Sequence, residues 1–267
     1  MRNRVTTLMF GVVVFGCLAV IPAQSAQQTG AGNKVVPRTA DGKPDLSGFW
    51  ARAGGGIGFN APRPKDAPPG FDFWHQGQLA PMELTPWAKE QLLYNLDPLN
   101  KEIGETRVMG RAELDPMILC FPLGAYRLGL PQMIVQIPGK IFFVYQSNHE
   151  MRQIFMDGRK HPEDLDPTWN GHSIGTWDGD TLVVDTVGMR EETWLDFGGH
   201  VHSADMRLVE RIRRIDHDTL EWETTLTDPK VFVKPFIERG SLKWRADYDF
   251  TEDINCEQRY RKGLGLY

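Results

Sequence analysis

Five of the seven histidines fall between positions 149 and 202: His149, His161, His172, His200 and His202. Histidine titrates near neutrality, so this density points to proton transfer or metal ligation. His172 opens a strand-like run and has acidic and aromatic neighbours. It is a candidate catalytic residue; the alternative is a wall histidine whose ring nitrogens are already bonded. His200 and His202 form an H-x-H pair. On a strand, positions i and i+2 share a face, so both rings could hold one divalent metal ion. His172, Asp196 or Glu210 would then supply a third ligand. Gly198-Gly199 beside the pair allow a loop instead, in which that geometry is lost.

Glu210 is the second candidate for proton transfer. In Met206-Arg207-Leu208-Val209-Glu210-Arg211-Ile212 it alternates in phase with Met206, Leu208 and Ile212. If that face points inward, a carboxylate stands inside an apolar enclosure, where it is suited to acid–base work. The alternative is an inward arginine that pairs with Glu210 and only ties the wall together. Asp196 would orient or assist. Trp169, Trp177 and Trp194 could stack on a flat ligand, and Arg152 and Arg159 could hold a carboxylate or phenolate oxygen, with His149 nearby. Gly171-His172-Ser173-Ile174-Gly175 matches G-x-S-x-G, but a hairpin rather than a helix follows, so the nucleophile-elbow context is missing. No Walker loop, dinucleotide fingerprint, H-E-x-x-H or C-x-x-C is present.

Short strands must position these residues. Ile141 to Tyr145 is a buried run. Asp157-Gly158 and Asp178-Gly179 read as hairpin turns, and the second is flanked by 174–177 and 181–185. Met206 to Ile215 and Leu220 to Leu226 alternate around a turn at 216–218. Leu242, Trp244, Ala246, Tyr248 and Phe250 share one face of a further strand. Leu46 to Trp50 reads as the first strand, and Gly/Pro-rich residues 53–70 as a loop. One helix is expected at about 86–97, with Thr85 as cap and Pro86 at its first position. Eight or nine strands without alternating helices imply an all-β fold: an antiparallel closed or nearly closed barrel, lipocalin-like, with a β-sandwich as the alternative. A barrel of this size can hold one small ligand inside.

Asp41-Gly42-Lys43-Pro44-Asp45-Leu46-Ser47-Gly48, Met156-Asp157-Gly158-Arg159-Lys160-His161-Pro162 and Trp169-Asn170-Gly171-His172-Ser173-Ile174-Gly175 form a recognisable series. It continues through Trp177-Asp178-Gly179-Asp180-Thr181-Leu182-Val183-Val184-Asp185-Thr186 to Gly199-His200-Val201-His202-Ser203. On these motifs the chain resembles a widespread group of exported bacterial β-rich proteins. The resemblance implies export and a shared β-rich fold.

Arg2 and Arg4, an apolar run from Leu8 to Ile21, and Ala23-Gln24-Ser25-Ala26 have the form of a cleavable signal peptide over residues 1–26. Residues 27–45 follow as a linker and 46–267 as a single domain, in the periplasm or outside the cell. Anchoring through Cys17 as a lipoprotein is the less favoured variant. Cys120 and Cys256 remain and suggest a disulfide in an oxidising compartment. The net charge of −5 argues against nucleic acid as partner, and the apolar run is short for a membrane span. The expected partner is a small, apolar or aromatic molecule. The expected activity is a cofactor-free acid–base isomerase, lyase or hydratase using His172 and Glu210. The alternatives are a non-catalytic ligand-binding barrel and a metal-dependent enzyme using His200 and His202. The oligomeric state is not legible from the sequence.

Overall fold

The computed structural model describes residues 35–52, 82–95, 121–196 and 199–249. The signal peptide, Cys17, the loop at 53–70, Cys120, Phe250 and Cys256 lie outside the described residues. Nine strands close into a barrel in sequence order: β1 (Gly48–Arg52), β2 (Met133–Ile137), β3 (Lys140–Val144), β4 (Met151–Phe155), β5 (His172–Asp178), β6 (Thr181–Val187), β7 (Arg207–Asp216), β8 (Thr219–Thr227) and β9 (Phe236–Trp244). One α-helix, α1 (Pro86–Asn95), precedes β2. Its Ala88 amide donates to Thr85 Oγ1 at 3.2 Å, the cap that the sequence pattern anticipates.

Closure of an odd-numbered ring has a topological consequence. Strand direction must return to itself around the ring, so antiparallel pairs must be even in number. Nine pairs therefore include at least one parallel pair. Here it is β4–β5, and every other pairing is antiparallel. A parallel neighbour cannot be reached through a tight hairpin. Asp157-Gly158, which the sequence pattern reads as a hairpin, instead opens a crossover over 156–171 that carries the chain back along the barrel. The seam that results is narrow: only Ile154↔Ser173 and Phe155↔Ile174 are in register. The Asp178-Gly179 hairpin forms as read, with Gly179 at φ +58, a conformation that glycine adopts without strain.

The last strand also differs from its pattern. The alternation over 242–250 suggests a strand there, but β9 is Phe236–Trp244. Its partner β8 begins at Thr219, opposite Lys243, so the ladder has no continuation beyond that point. Residues 38–45, the end of the expected linker, form a small loop closed by an Arg38↔Pro44 bridge, and Arg38 forks onto Asp180 at 2.9 and 2.7 Å.

The interior is a packed core in two parts. Toward one end, Trp50, Phe143, Ile154, Leu182, Ile212 and Leu220 are completely covered, with Trp222 beside them. Toward the other, Leu208, Leu226 and Phe236 meet Leu84 and Ala88 at the base of α1. Each side chain covered in this way contributes about 1.5–3 kcal/mol. On β7 the two parts flank Glu210, and on β8 they flank Thr224. No helix among the described residues is long and apolar enough to cross a membrane.

Candidate functional site

Alternation decides what each face of the wall carries. Ser173 faces inward on β5, so His172 faces outward; Glu210 faces inward on β7, between Leu208 and Ile212. The two residues expected to share a reaction centre therefore lie on opposite faces of the barrel wall and do not meet.

Inside, Glu210 is held by Arg152. The guanidinium donates to Glu210 Oε1 at 3.1 Å and Oε2 at 2.6 Å, a bidentate pair in which both side chains are almost wholly buried. The same guanidinium donates to Thr186 Oγ1 at 3.1 Å, to Ser173 Oγ at 3.4 Å and to the Tyr145 hydroxyl at 3.3 Å. Burial opposes the charge on Arg152, but the adjacent carboxylate outweighs it and raises the guanidinium pKa; burial likewise raises that of Tyr145. The group is a polar layer between the two apolar halves of the core. Arg152 and Glu210 satisfy one another, which is the wall-tying alternative. Ser173, the serine of the G-x-S-x-G match, is committed to this layer through Thr186 and Arg152.

Outside, the narrow β4–β5 seam opens a groove of about 410 Å³. Pro122, Met151, Phe155 and Trp169 supply apolar walls, and Asn170 and His172 supply polar groups. Gly171 places His172 here. Its φ is +67, and a Cβ would come within 2.6 Å of the Val187 carbonyl oxygen, so only glycine fits where the crossover re-enters the sheet. His172 stacks on Phe155 with ring centroids 5.1 Å apart, and Arg159 lies over that ring at 3.8 Å. Trp169 is stacked between Phe121 and Arg190.

A chain of polar contacts backs His172. Its Nδ1 lies 2.8 Å from Nδ1 of His161, which the crossover brings against β5. His161 Nε2 lies 3.5 Å from Asp185 Oδ2, beyond hydrogen-bond geometry, and is buried without a hydrogen-bond partner. Asp185 in turn accepts from Arg207 at 2.7 and 2.6 Å. Burial alone would raise the Asp185 pKa; Arg207, with help from His161, lowers it overall and keeps the carboxylate ionised. The nearby carboxylate favours the His161 tautomer that carries its proton on Nε2. His161 Nδ1 then accepts from His172 Nδ1–H, and His172 Nε2 keeps a lone pair. Burial first, then His161 and Arg159, lower the His172 pKa, so the ring is neutral at pH 7.

The other candidates lie apart from this chain. Asp196 accepts from the His200 amide at 3.2 Å and meets His200 Nδ1 at 2.6 Å. Both nitrogens of His202 are engaged, Nε2 by Thr193 Oγ1 at 2.7 Å and Nδ1 by the Ser203 carbonyl at 3.0 Å. His200 and His202 lie on the irregular segment between β6 and β7, where the strand geometry that would aim both rings at one ion is absent. Among the described residues no three His, Cys, Asp or Glu side chains form a metal-binding group. Trp177 is inward in phase near the β5–β6 hairpin, with Lys43 over its ring at 5.9 Å; Trp194 is buried against Gly199. His149 is exposed on a 3₁₀ turn, Ser147–His149, and Arg159 forks onto Asp157.

Of the residues the sequence singles out, His172 and Trp169 come together at the groove, while Arg152, which borders it, turns its guanidinium inward to Glu210. His161, Asp185, Phe155 and Asn170 join them without having been assigned a role. A signal for Asp185 exists: it pairs with Ile174, which shares the outward face of His172. Searches against models of known protein families, curated proteins and solved structures each return no match for this chain.

Proposed function

We propose that this protein is an exported barrel enzyme that binds a small apolar or aromatic molecule at the β4–β5 seam and moves a proton on it with His172, as an isomerase, lyase or hydratase and without a cofactor. The observation that carries this reading is the Asp185–His161–His172 chain, which ends on a neutral imidazole at an apolar groove. On this reading the reaction takes place at the outer wall, while packed side chains occupy the lumen. His172 Nε2 takes a proton from the bound molecule; His161 stabilises the imidazolium that forms, and Asp185 stabilises His161. Returning the proton to a different atom completes an isomerisation or elimination with atoms and charge in balance.

Mass spectrometry of small molecules retained by the purified full chain identifies the ligand, and turnover of that compound or its close analogues is then measured. Loss of turnover in His172→Gln, with the compound still bound, is the expected result. Undiminished turnover in that variant removes the proposed base.

A ligand-binding role without catalysis is the second reading. It is favoured by the position of Glu210, which leaves His172 without the carboxylate partner that a two-residue acid–base mechanism would use. Tight retention of a compound that is never converted supports it.

A further inference from the structure

The groove is lined by Met151, Arg152 and Gln153 in succession on one side and by residues 168–173 on the other. Successive side chains of a strand point to opposite faces, so three consecutive residues reach one groove along the strand edge, through the main chain. On β4 that edge is only partly used. Glu150 C=O accepts from Tyr145 N–H and Met156 N–H donates to Gly139 C=O, both at 2.9 Å, so the even positions of β4 bond to β3. The odd positions turn the other way, toward β5. There the pairs Ile154↔Ser173 and Phe155↔Ile174 engage Phe155 and the Gln153 carbonyl, and the ladder ends. Met151 N–H, Met151 C=O and Gln153 N–H are left over, and no group among the described residues bonds to them.

The opposite lip does not close this edge. Thr168 N–H donates to Gly188 C=O at 3.0 Å, Thr168 C=O accepts from Arg190 N–H at 2.9 Å, and Gly171 N–H turns back to Thr168 C=O at 3.3 Å. The two open donors on β4 stand two residues apart, about 7 Å along the strand, with the open acceptor between them. A second main chain carries complementary groups at that same interval, because its amides repeat with the same period. Around this edge Pro122, Met151, Phe155 and Trp169 are apolar. The nearest cations already have their carboxylates: Arg152 pairs with Glu210, Arg159 with Asp157 and Arg190 with Glu192. A charged guest would find no counter-ion among them.

We infer that the groove takes an extended, uncharged peptide segment with apolar side chains, which pairs with Met151 and Gln153 as a strand added along β4. This rests on the groove being the binding site and names the class of molecule bound there. The side chains of the added strand that share the outer face with Met151 lie against Trp169 and Phe155.

Pairing along one edge has a signature. In a strand, alternate N–H groups point to opposite sides, so only every second amide of the guest meets β4. The probe is the peptide Ala-Phe-Ala-Phe-Ala, acetylated and amidated at its ends, with two derivatives N-methylated at the Phe or at the Ala residues. Calorimetry with the full chain should show that one derivative binds about tenfold or more weakly than the probe while the other keeps its affinity. Hydrogen exchange gives a second readout. In the free chain the Met151 and Gln153 amides should exchange fast and those of Arg152 and Ile154 slowly, and the peptide should slow the first two. Met151→Pro removes one open donor, and Glu150 at φ −76, ψ 150 already has the extended backbone that a following proline requires. This variant should keep the parent's urea midpoint and bind the peptide about tenfold or more weakly. Equal binding of both methylated peptides, or equal loss of both, overturns the inference. So do slow exchange of the free Met151 and Gln153 amides, a lowered midpoint in Met151→Pro, and peptide binding that this variant does not weaken. The aromatic control is 2-naphthol, in the parent and in Trp169→Ala. If the peptide fails to bind but 2-naphthol binds and is lost in Trp169→Ala, the inference falls and the groove stands as the site. If neither binds, both readings fall together.

Discussion

The wall built from β4, β5 and β6 presents two polar assemblies that are separated by the thickness of a single sheet. On its inner face Arg152, Ser173, Thr186 and Glu210 form a closed network in which the carboxylate has its cation. On its outer face His172, His161 and Asp185 form an open chain, with the last ring at a groove and one imidazole nitrogen uncommitted. Position 172 belongs to one assembly and position 173 to the other. A buried polar group serves stability when all its bonds are internal; it serves chemistry when one bond is left for a visitor. By that criterion the inner layer is architecture and the outer chain is the site.

The sharpest way to break the contrast is Glu210→Gln. It leaves the Arg152 cation buried without its counter-charge, so we expect a loss of about 3–5 kcal/mol in urea unfolding. Replacing both partners, Arg152→Met with Glu210→Leu, should recover most of it, since the desolvation cost of both charges disappears. A double variant as unstable as the single one would mean that the layer does more than tie the wall.

Next in size is His172→Gln. Turnover of the retained compound should fall about a hundredfold, the usual share of a general base. Its unfolding midpoint should stay near that of the parent, because the ring is only half-buried and outside the core. Equal damage to stability and turnover would erase the distinction between the faces.

A third effect comes from pH. Burial lowers the pKa of His172, and also that of His202, whose ring is nearly enclosed. The unfolded chain therefore takes up these protons before the folded chain does. Stability is complete above the ordinary histidine pKa of about 6.5 and is lost as pH falls below it. Unfolding curves at pH 7.5 and 5.5 should show this decline, and His202→Gln should flatten part of it. Turnover should decline over the same acid limb as His172 charges, with its midpoint below the ordinary histidine value. A flat stability profile would contradict the buried, neutral state of His202.

Smallest of all is Ser173→Ala, one position from His172. Its hydroxyl bonds to Thr186 at 2.9 Å and to Arg152 at 3.4 Å, so its loss should cost about 1 kcal/mol and leave turnover unchanged. A large effect on turnover would instead join the serine to the outer chain.

Much of the barrel is legible in the residues. β7 and β8 lie where the alternation puts them, Thr85 caps the helix, and Asp178-Gly179 turns the β5–β6 hairpin. These features depend on near neighbours: a period of two, a capping hydroxyl, a glycine that accepts positive φ. The phase of Glu210 is legible for the same reason, and the inward orientation read from it is what the barrel has. The partner of Glu210 is not, because Arg152 lies 58 positions away and reaches it across β5 and β6.

The site is legible only in part. The histidine density between 149 and 202 marks the region, and the groove does contain His172 and Trp169. That His161 rather than Glu210 stands beside His172 follows from the crossover at 156–171, and nine strands in a closed ring require a parallel pair somewhere, which here is β4–β5. Parity is a property of the finished ring, and no local stretch of residues encodes it. Likewise His200 and His202 look alike in the sequence, yet Thr193, Ser203 and Asp196 give them separate bonds on an irregular segment. By itself the amino-acid order determined which side chains alternate and where the chain can turn, since both are settled within a few residues. Only the closed tertiary structure decided which faces became inside and outside, which strands met in parallel, and which imidazole was left with a free nitrogen beside an open groove.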